Sequence, residues 1–342
     1  MSDDATAERR QQVLDWIRSG ERFILVTHEN ADGDALGSLV AMQGLLTELG
    51  KDSVMFMAPD EFPLAYEYRF FRLDGIVSTP PADVAARRIV FLDCGNIDRN
   101  PAHALFDGPD LLNIDHHHDN TRFGTLNYVV PQASCTAEIV WDLMHGLEVA
   151  PSPPVAEALY VGLITDTGRF MYENTGPRAH LMAAELIEAG VDVQAIYRRL
   201  YEDMPLAKLL LLARALGRVS RYDSGALTFT YLTATDYAES EAEESYSEGV
   251  IDNLRAVQGT KVAAVSRELS AEDRRADRKV SLRAVDDDVD VSAIARAQGG
   301  GGHRRAAGFS TDLEIDELVA FLRQAVAEQL GTATGSPAPT AA

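Results

Sequence analysis

Short apolar runs alternate with stretches of helical periodicity through the first half of the chain. RFILVTH (22–28), DSVMFM (52–57), RRIVFLD (87–93) and DLLNID (110–115) are too short for helices and place apolar residues on consecutive positions, as strands buried on both faces do. ALGSLVAMQGLLTEL (35–49) and TAEIVWDLMH (136–145) instead repeat apolar residues at helical spacing. They run into Gly50 and Gly146, where a left-handed C-cap favours glycine. The pattern predicts an α/β domain built on a doubly wound parallel sheet. After PSPP (151–154), Leu159, Tyr160, Leu163 and Ile164 share one side of a further helix, which puts Asp166 at or near its C-terminus.

Residues 178–218 read as helical. Beyond them ALTFTYL (226–232), VAAVSREL (262–269) and KVSLRAV (279–285) read as strands, and SAIARAQ and ELVAFLRQAVAEQL as helices. The organisation expected is a catalytic, metal-binding domain over 1–195, a helical linker over 196–221, a smaller mixed-sheet α/β domain over 222–330 and a disordered Gly/Pro/Ala-rich tail over 331–342. There is no internal repeat.

Composition narrows the function. No run approaches the ~20 apolar residues of a membrane span, and two cysteines, Cys94 and Cys135, make no disulfide framework. A cytoplasmic protein with no membrane partner is expected. A net charge of −22 in 342 residues argues against a broad grip on long nucleic acid. The imbalance is local, however: residues 251–305 hold 11 basic and 9 acidic side chains, so a small anion site fits there.

Four strand or helix ends of the first domain carry metal-type ligands: His28, Asp32 and Asp34; Asp93; Asp115, His116 and His117; and Asp166. Singly, each has a plainer reading. DGD is a common turn, a lone Asp93 is a common helix cap, and the histidine run suits a solvated turn. Together they converge, because the carboxyl ends of parallel strands open onto one crevice. Crowded carboxylates repel unless cations sit among them, and oxygen with imidazole donors suits manganese, magnesium or zinc. His103, His145 and His180 lack such company and read as surface or packing residues.

With HENADGDALGS, VFLDCGN, NIDHHHDN and ALYVGLITDTGRF in this order, and GGGGHRRAAGF (299–309) in the second domain, the chain resembles the DHH phosphoesterase superfamily, in the branch with a DHH-associated C-terminal domain. Ala31 stands where that family commonly has proline. The resemblance implies two divalent cations, manganese first and magnesium or cobalt as alternatives, one on His28, Asp32 and Asp93 and the other on Asp34, Asp93, His116 and Asp166. It gives Asp93 and His116 catalytic roles as ligands, Asp115 the role of orienting His116, and His117 a catalytic role against the substrate phosphate. Two cations that activate a water and neutralise phosphoryl charge imply phosphoester hydrolysis.

The glycine run has its own reading. Gly300, Gly301 and Gly302 let backbone N–H groups approach an anion, and His303 and Arg304 add charge beside them; Arg283 resembles a family position that reaches the same ligand. The branch resembled contains small bacterial oligoribonucleases that also dephosphorylate 3'-phosphoadenosine 5'-phosphate. The expected substrates are therefore short RNA, including pApA, cut from the 5' end, and that nucleotide. Alternatives are a cyclic-di-AMP phosphodiesterase, a pyrophosphatase or polyphosphatase, and a non-catalytic nucleotide-binding regulator. A homodimer is compatible with the sequence.

Overall fold

Six strands, β1 (Arg22–Val26), β2 (Asp52–Phe56), β3 (Ile76–Val77), β4 (Arg88–Leu92), β5 (Leu111–Asp115) and β6 (Leu126–Val129), pair in parallel in the order β3-β2-β1-β4-β5-β6. The computed structural model describes residues 3–71, 73, 75–100, 110–269, 276–332 and 340–341. His103 lies outside them, as does most of the tail expected at 331–342. The chain divides into two compact units, Met1–Asp203 and Met204–Ala342.

In the first unit, the strand order reverses between β1 and β4, the switch point at which open α/β sheets form their crevice. Side chains alternate along the strands. Phe23, Leu25, Val90, Leu92, Leu112 and Ile114 share one core with α1 (Asp3–Ser19), α2 (Gly33–Glu48), α3 (Thr136–Gly146), α4 (Pro153–Asp166), α5 (Pro177–Glu188) and α6 (Val193–Tyr201). Ile24, Val26, Ile89 and Phe91 turn to the opposite face, under Val84, Ile97 and Phe123. Leu36, Leu39, Leu45 and Leu46 of α2 are fully buried, each contributing about 1.5–3 kcal/mol relative to an exposed side chain.

The α2–α4 crossing positions the site. Gly37 faces the backbone of α4 so closely that a Cβ there would lie 2.4 Å from the Ala158 carbonyl oxygen, and a Cβ on Gly162 would lie 2.9 Å from Asp34 Oδ1. Neither backbone oxygen nor buried carboxylate can yield cheaply. Gly37→Ala is therefore expected to lower stability by about 1–3 kcal/mol, seen as a lower urea midpoint at unchanged slope; an unchanged midpoint would show that the crossing has slack.

Gly50 is left-handed, as a C-cap should be (φ 70°). Gly146 is not: α3 runs through it, and Glu148 takes the left-handed position (φ 57°). Glycine is used at 146 for another reason, since a Cβ would lie 2.8 Å from Leu14 Cδ1 where α1 passes.

The second unit holds a seven-stranded mixed sheet, β11 (Gly301–His303), β12 (Ala306–Thr311), β10 (Arg278–Ala284), β9 (Val262–Glu268), β8 (Leu227–Leu232), β7 (Ser220–Tyr222) and β13 (Thr340–Ala341) in spatial order, with β8 and β9 parallel and the other pairs antiparallel. Val280, Leu282, Val262 and Phe309 pack one face against α10 (Val291–Arg296) and α11 (Ile315–Leu330), and α9 (Val250–Arg255) packs on β8, β9 and β10. α7 (Leu206–Leu216) and α8 (Ala234–Ser240) complete this unit. The glycine run read as a loop is instead one arm of a hairpin, Gly301–His303 pairing with Ala306–Gly308.

Candidate metal centre

The polar residues collect where β1, β4 and β5 end and α2 and α3 begin. His28 follows β1. Its Nδ1 lies 2.7 Å from the Glu29 carbonyl oxygen, to which it donates, and its Nε2 faces Asp93 Oδ2 at 3.6 Å. Asp32 caps α2, its Oδ1 accepting from the Asp34 and Ala35 N–H groups at 3.1 Å. Before Ala31, the Asn30 N–H is also tied to Glu61 Oε2 at 2.7 Å.

Asp34 is fully inside. Its oxygens accept from the first turn of α3, Thr136 N–H at 2.7 Å and Ala137 N–H at 2.9 Å, a helix start that favours a carboxylate. Asp93 ends β4 in a left-handed conformation (φ 59°), the kind of backbone strain that persists where the surrounding structure holds it. His116 Nε2 looks into the cluster, 3.6 Å from Asp166 Oδ2, 3.8 Å from Asp93 Oδ1 and 4.0 Å from Asp34 Oδ2.

Three sets of ligand atoms therefore come within metal-binding reach: His28, Asp32 and Asp93; Asp34, His116 and Asp166; and Asp93, His116 and His117. The donor set is oxygen and imidazole. Both cysteines are buried, with burial pushing the Cys94 thiol up to about 12 and raising Cys135 as well; Cys135 sulfur is taken up as the cap of α3. Hard or borderline divalent cations fit such a site.

Electrostatics point the same way. Burial, together with Asp93, Asp166 and Asp32, raises the Asp34 carboxyl well above its ordinary value. Burial, partly opposed by His116 and reinforced by Asp93, pushes Asp166 up to about 6. Asp93 goes the other way: burial disfavours its charge, but His28, His117 and His116 outweigh it and hold the carboxyl well below the usual range. Without cations, protons settle part of the surplus negative charge.

Asp115 bonds His116 through the main chain only, and its side-chain partner is the His117 ring rather than the His116 ring. Its Oδ1 pairs with His117 Nδ1 at 2.7 Å and accepts the His116 backbone N–H at 2.8 Å, while the His116 ring faces the Ala133 carbonyl at 3.4 Å. Asn120 Nδ2 holds the other Asp115 oxygen at 2.5 Å. Burial alone would keep His117 neutral, yet the Asp115 hydrogen bond and the Asp93 and Asp166 carboxylates push it up to about 9. His117 and Asp166 are 29 % and 28 % exposed against 3 % for Asp93, so the centre opens on their side.

Three polar groups here escape sequence reading. Thr136 Oγ1 donates to Asp93 Oδ1 at 2.9 Å, Asn174 Nδ2 donates to Asp166 Oδ2 at 3.1 Å, and Asn120 backs Asp115. His145 bonds Glu185, and His180 stacks on Phe170, away from the cluster.

The other candidates lie in the second unit. Arg283, on β10, is partly buried, and burial with Arg255 and Arg267 nearby lowers its pKa against the pull of Asp252. Gly300 and Gly302 lie against β12: a Cβ on Gly300 would meet the Gly308 oxygen at 2.3 Å, and Gly302 has φ 135°. Gly301 faces open space, and His303 pairs with Ala306 in the ladder. Arg304 and Arg305 form the turn, and both bond Asp287.

Residues 22–163 match the DHH family, N-terminal domain, and residues 227–328 match the DHHA1 domain. Over 332 residues the chain is 31% identical to the bifunctional oligoribonuclease and PAP phosphatase NrnA of Thermus thermophilus, spanning 94% of this chain and 95% of that one. The chain belongs to the DHH family. The Bacillus subtilis protein of the same name is 25% identical, with 92% and 97% of the two chains covered. The crystal structure of an exopolyphosphatase-related protein from Bacteroides fragilis shares the fold, with a TM-score of 0.84 at 22% identity over 95% and 97% of the chains. This DHH phosphoesterase thus joins a family that uses divalent metals to a cluster whose donors suit them. Among the described residues, no helix is long and apolar enough to cross a membrane.

Proposed function

We propose that this protein is a metal-dependent hydrolase of short oligoribonucleotides, releasing mononucleotides from the 5' end, and of 3'-phosphoadenosine 5'-phosphate. The observation that carries the reading is the meeting of His28, Asp32, Asp34, Asp93, His116 and Asp166 at the switch point of a sheet in a chain that matches its oligoribonuclease relative almost end to end. His28, Asp32 and Asp93 would hold one divalent cation, and Asp34, Asp93, His116 and Asp166 the second, with manganese the best match to the donors. Such cations supply an activated water and charge neutralisation at phosphorus.

The chain's own groups do the rest. His117, oriented by the Asp115 hydrogen bond, stands on the open side, where its ring would face a substrate phosphate as a hydrogen-bond donor to a phosphate oxygen or a proton donor to the leaving oxygen. In the second unit Arg283, with Arg255 and Arg267 around it, supplies cationic charge for a terminal phosphate. The hairpin adds the open face of Gly301 and the backbone of Gly300, Gly302 and His303. Arg304, shared with Asp287, is the weakest member of this set.

Purified protein with manganese is expected to release mononucleotides from pApA and from a 5'-phosphorylated five-nucleotide RNA, and AMP from 3'-phosphoadenosine 5'-phosphate, each lost on chelation. Cyclic di-AMP and pyrophosphate are run alongside. Turnover of pyrophosphate alone would overturn the substrate assignment, and turnover of nothing would favour a nucleotide-binding regulator. End-labelled trinucleotides read the polarity directly.

A further inference from the structure

Asp93 is the carboxylate common to two of the ligand sets, standing with His28 and Asp32 on one side and with His116 and His117 on the other. Its oxygens are sorted between them. Oδ2 lies 3.6 Å from His28 Nε2, while Oδ1 lies 3.6 Å from His117 Nδ1 and 3.8 Å from His116 Nε2. Nothing intrinsic to aspartate enforces this, because the carboxylate torsion is broad and two-fold.

The Thr136 hydroxyl supplies a restraint. It donates to Asp93 Oδ1 at 2.9 Å, and both residues are buried. Thr136 also opens α3, and there its backbone N–H donates to Asp34 Oδ2 at 2.7 Å, beside the Ala137 N–H on Asp34 Oδ1. One residue thus engages two acidic groups with different atoms. Its main chain takes Asp34 and its side chain takes Asp93, so a side-chain substitution can release one and keep the other.

We propose that Thr136 is a positioning residue whose hydroxyl fixes the rotation of the Asp93 carboxylate, so that one oxygen faces His28 and Asp32 and the other faces His116. The inference rests on the reading of Asp93 as a shared metal ligand. Loss of the hydroxyl removes no ligand; it lets a shared one turn. The consequence falls on joint occupancy of the two sets rather than on binding of a first cation.

The test is manganese titration of metal-stripped protein by calorimetry and by electron paramagnetic resonance, which distinguishes a spin-coupled pair from isolated ions. Wild type is compared with Thr136→Val, which keeps the shape without the donor, and Thr136→Ser, which keeps the donor. The valine variant is expected to lose about 10- to 100-fold in affinity at the weaker site and to shift the spectrum towards isolated ions. The serine variant should restore both, with thermal melting of all three alike. Wild-type affinity and a coupled spectrum in the valine variant would overturn the assignment. Equal losses in valine and serine would overturn it too, since they would trace to packing of the methyl group. If the valine variant does not fold, Thr136→Ala carries the same comparison. Failure of wild type to bind manganese is a distinct result: it removes the metal reading before any substitution is made.

Discussion

Asp93→Asn is expected to lower turnover of short RNA by roughly 10³-fold or more, the scale on which removal of a central catalytic group acts. The substitution keeps volume and shape and leaves an oxygen that can still accept from Thr136 Oγ1. What it removes is charge at the point where His28, His116 and His117 all face one carboxylate. An amide is a poor ligand for a divalent cation and cannot hold two imidazole-bearing sets together. Manganese stoichiometry should fall with activity while the melting profile stays cooperative. Activity within tenfold of wild type would show that Asp93 is not shared, and the site would have to be rebuilt around Asp34 and Asp166.

Asp93 also shows what made much of this site legible. It closes a consecutive apolar run, and Asp115 closes a buried strand broken only by Asn113; a charged residue ending a strand buried on both faces must point into the crevice or be neutralised. His28 and Asp166 were readable for the same reason, as polar ends of apolar segments. Residues whose role depends on a neighbouring element were not. The partner of Asp115 is decided by how the chain turns after β5, which sets the His117 ring rather than the His116 ring against it. Thr136 looks like any residue opening a helix, because a single hydroxyl carries no periodicity. β3 and β6 are short and half-buried, with IV and LNYV too brief for a pattern. Gly300 and Gly302 carry the composition of a flexible loop, yet serve a hairpin whose partner strand comes within 2.3 Å of a Cβ. Sequence could not separate the two, since both need glycine, one for freedom and one for close approach.

Added manganese is expected to raise the melting temperature far more at pH 7.5 than at pH 5.5, and the sign follows from the metal-free groups. Asp34 and Asp166 have folded-state pKa values above the ordinary carboxyl value, about 6 for Asp166. A raised group contributes stability below its unfolded pKa and loses it as pH climbs through the folded one. His117, raised to about 9, and His28, raised less, act in the same direction at higher pH. Asp93, held low, contributes throughout this range and adds no slope. The metal-free protein should therefore melt progressively lower from pH 5.5 to 8. Cations need the carboxylates and imidazoles unprotonated, so binding releases protons and its gain grows over the same interval. At a hundredfold excess over Kd the gain is about 2.7 kcal/mol, or roughly 5–10 °C for a unit of this size. Scanning fluorimetry with chelator or manganese at the two pH values measures the difference, and calorimetry in buffers of unlike ionisation enthalpy counts the protons. A gain of equal size at both values, with no proton release, would mean that the bound cation does not sit on Asp34 and Asp166, whose raised carboxyls must give up protons to take it.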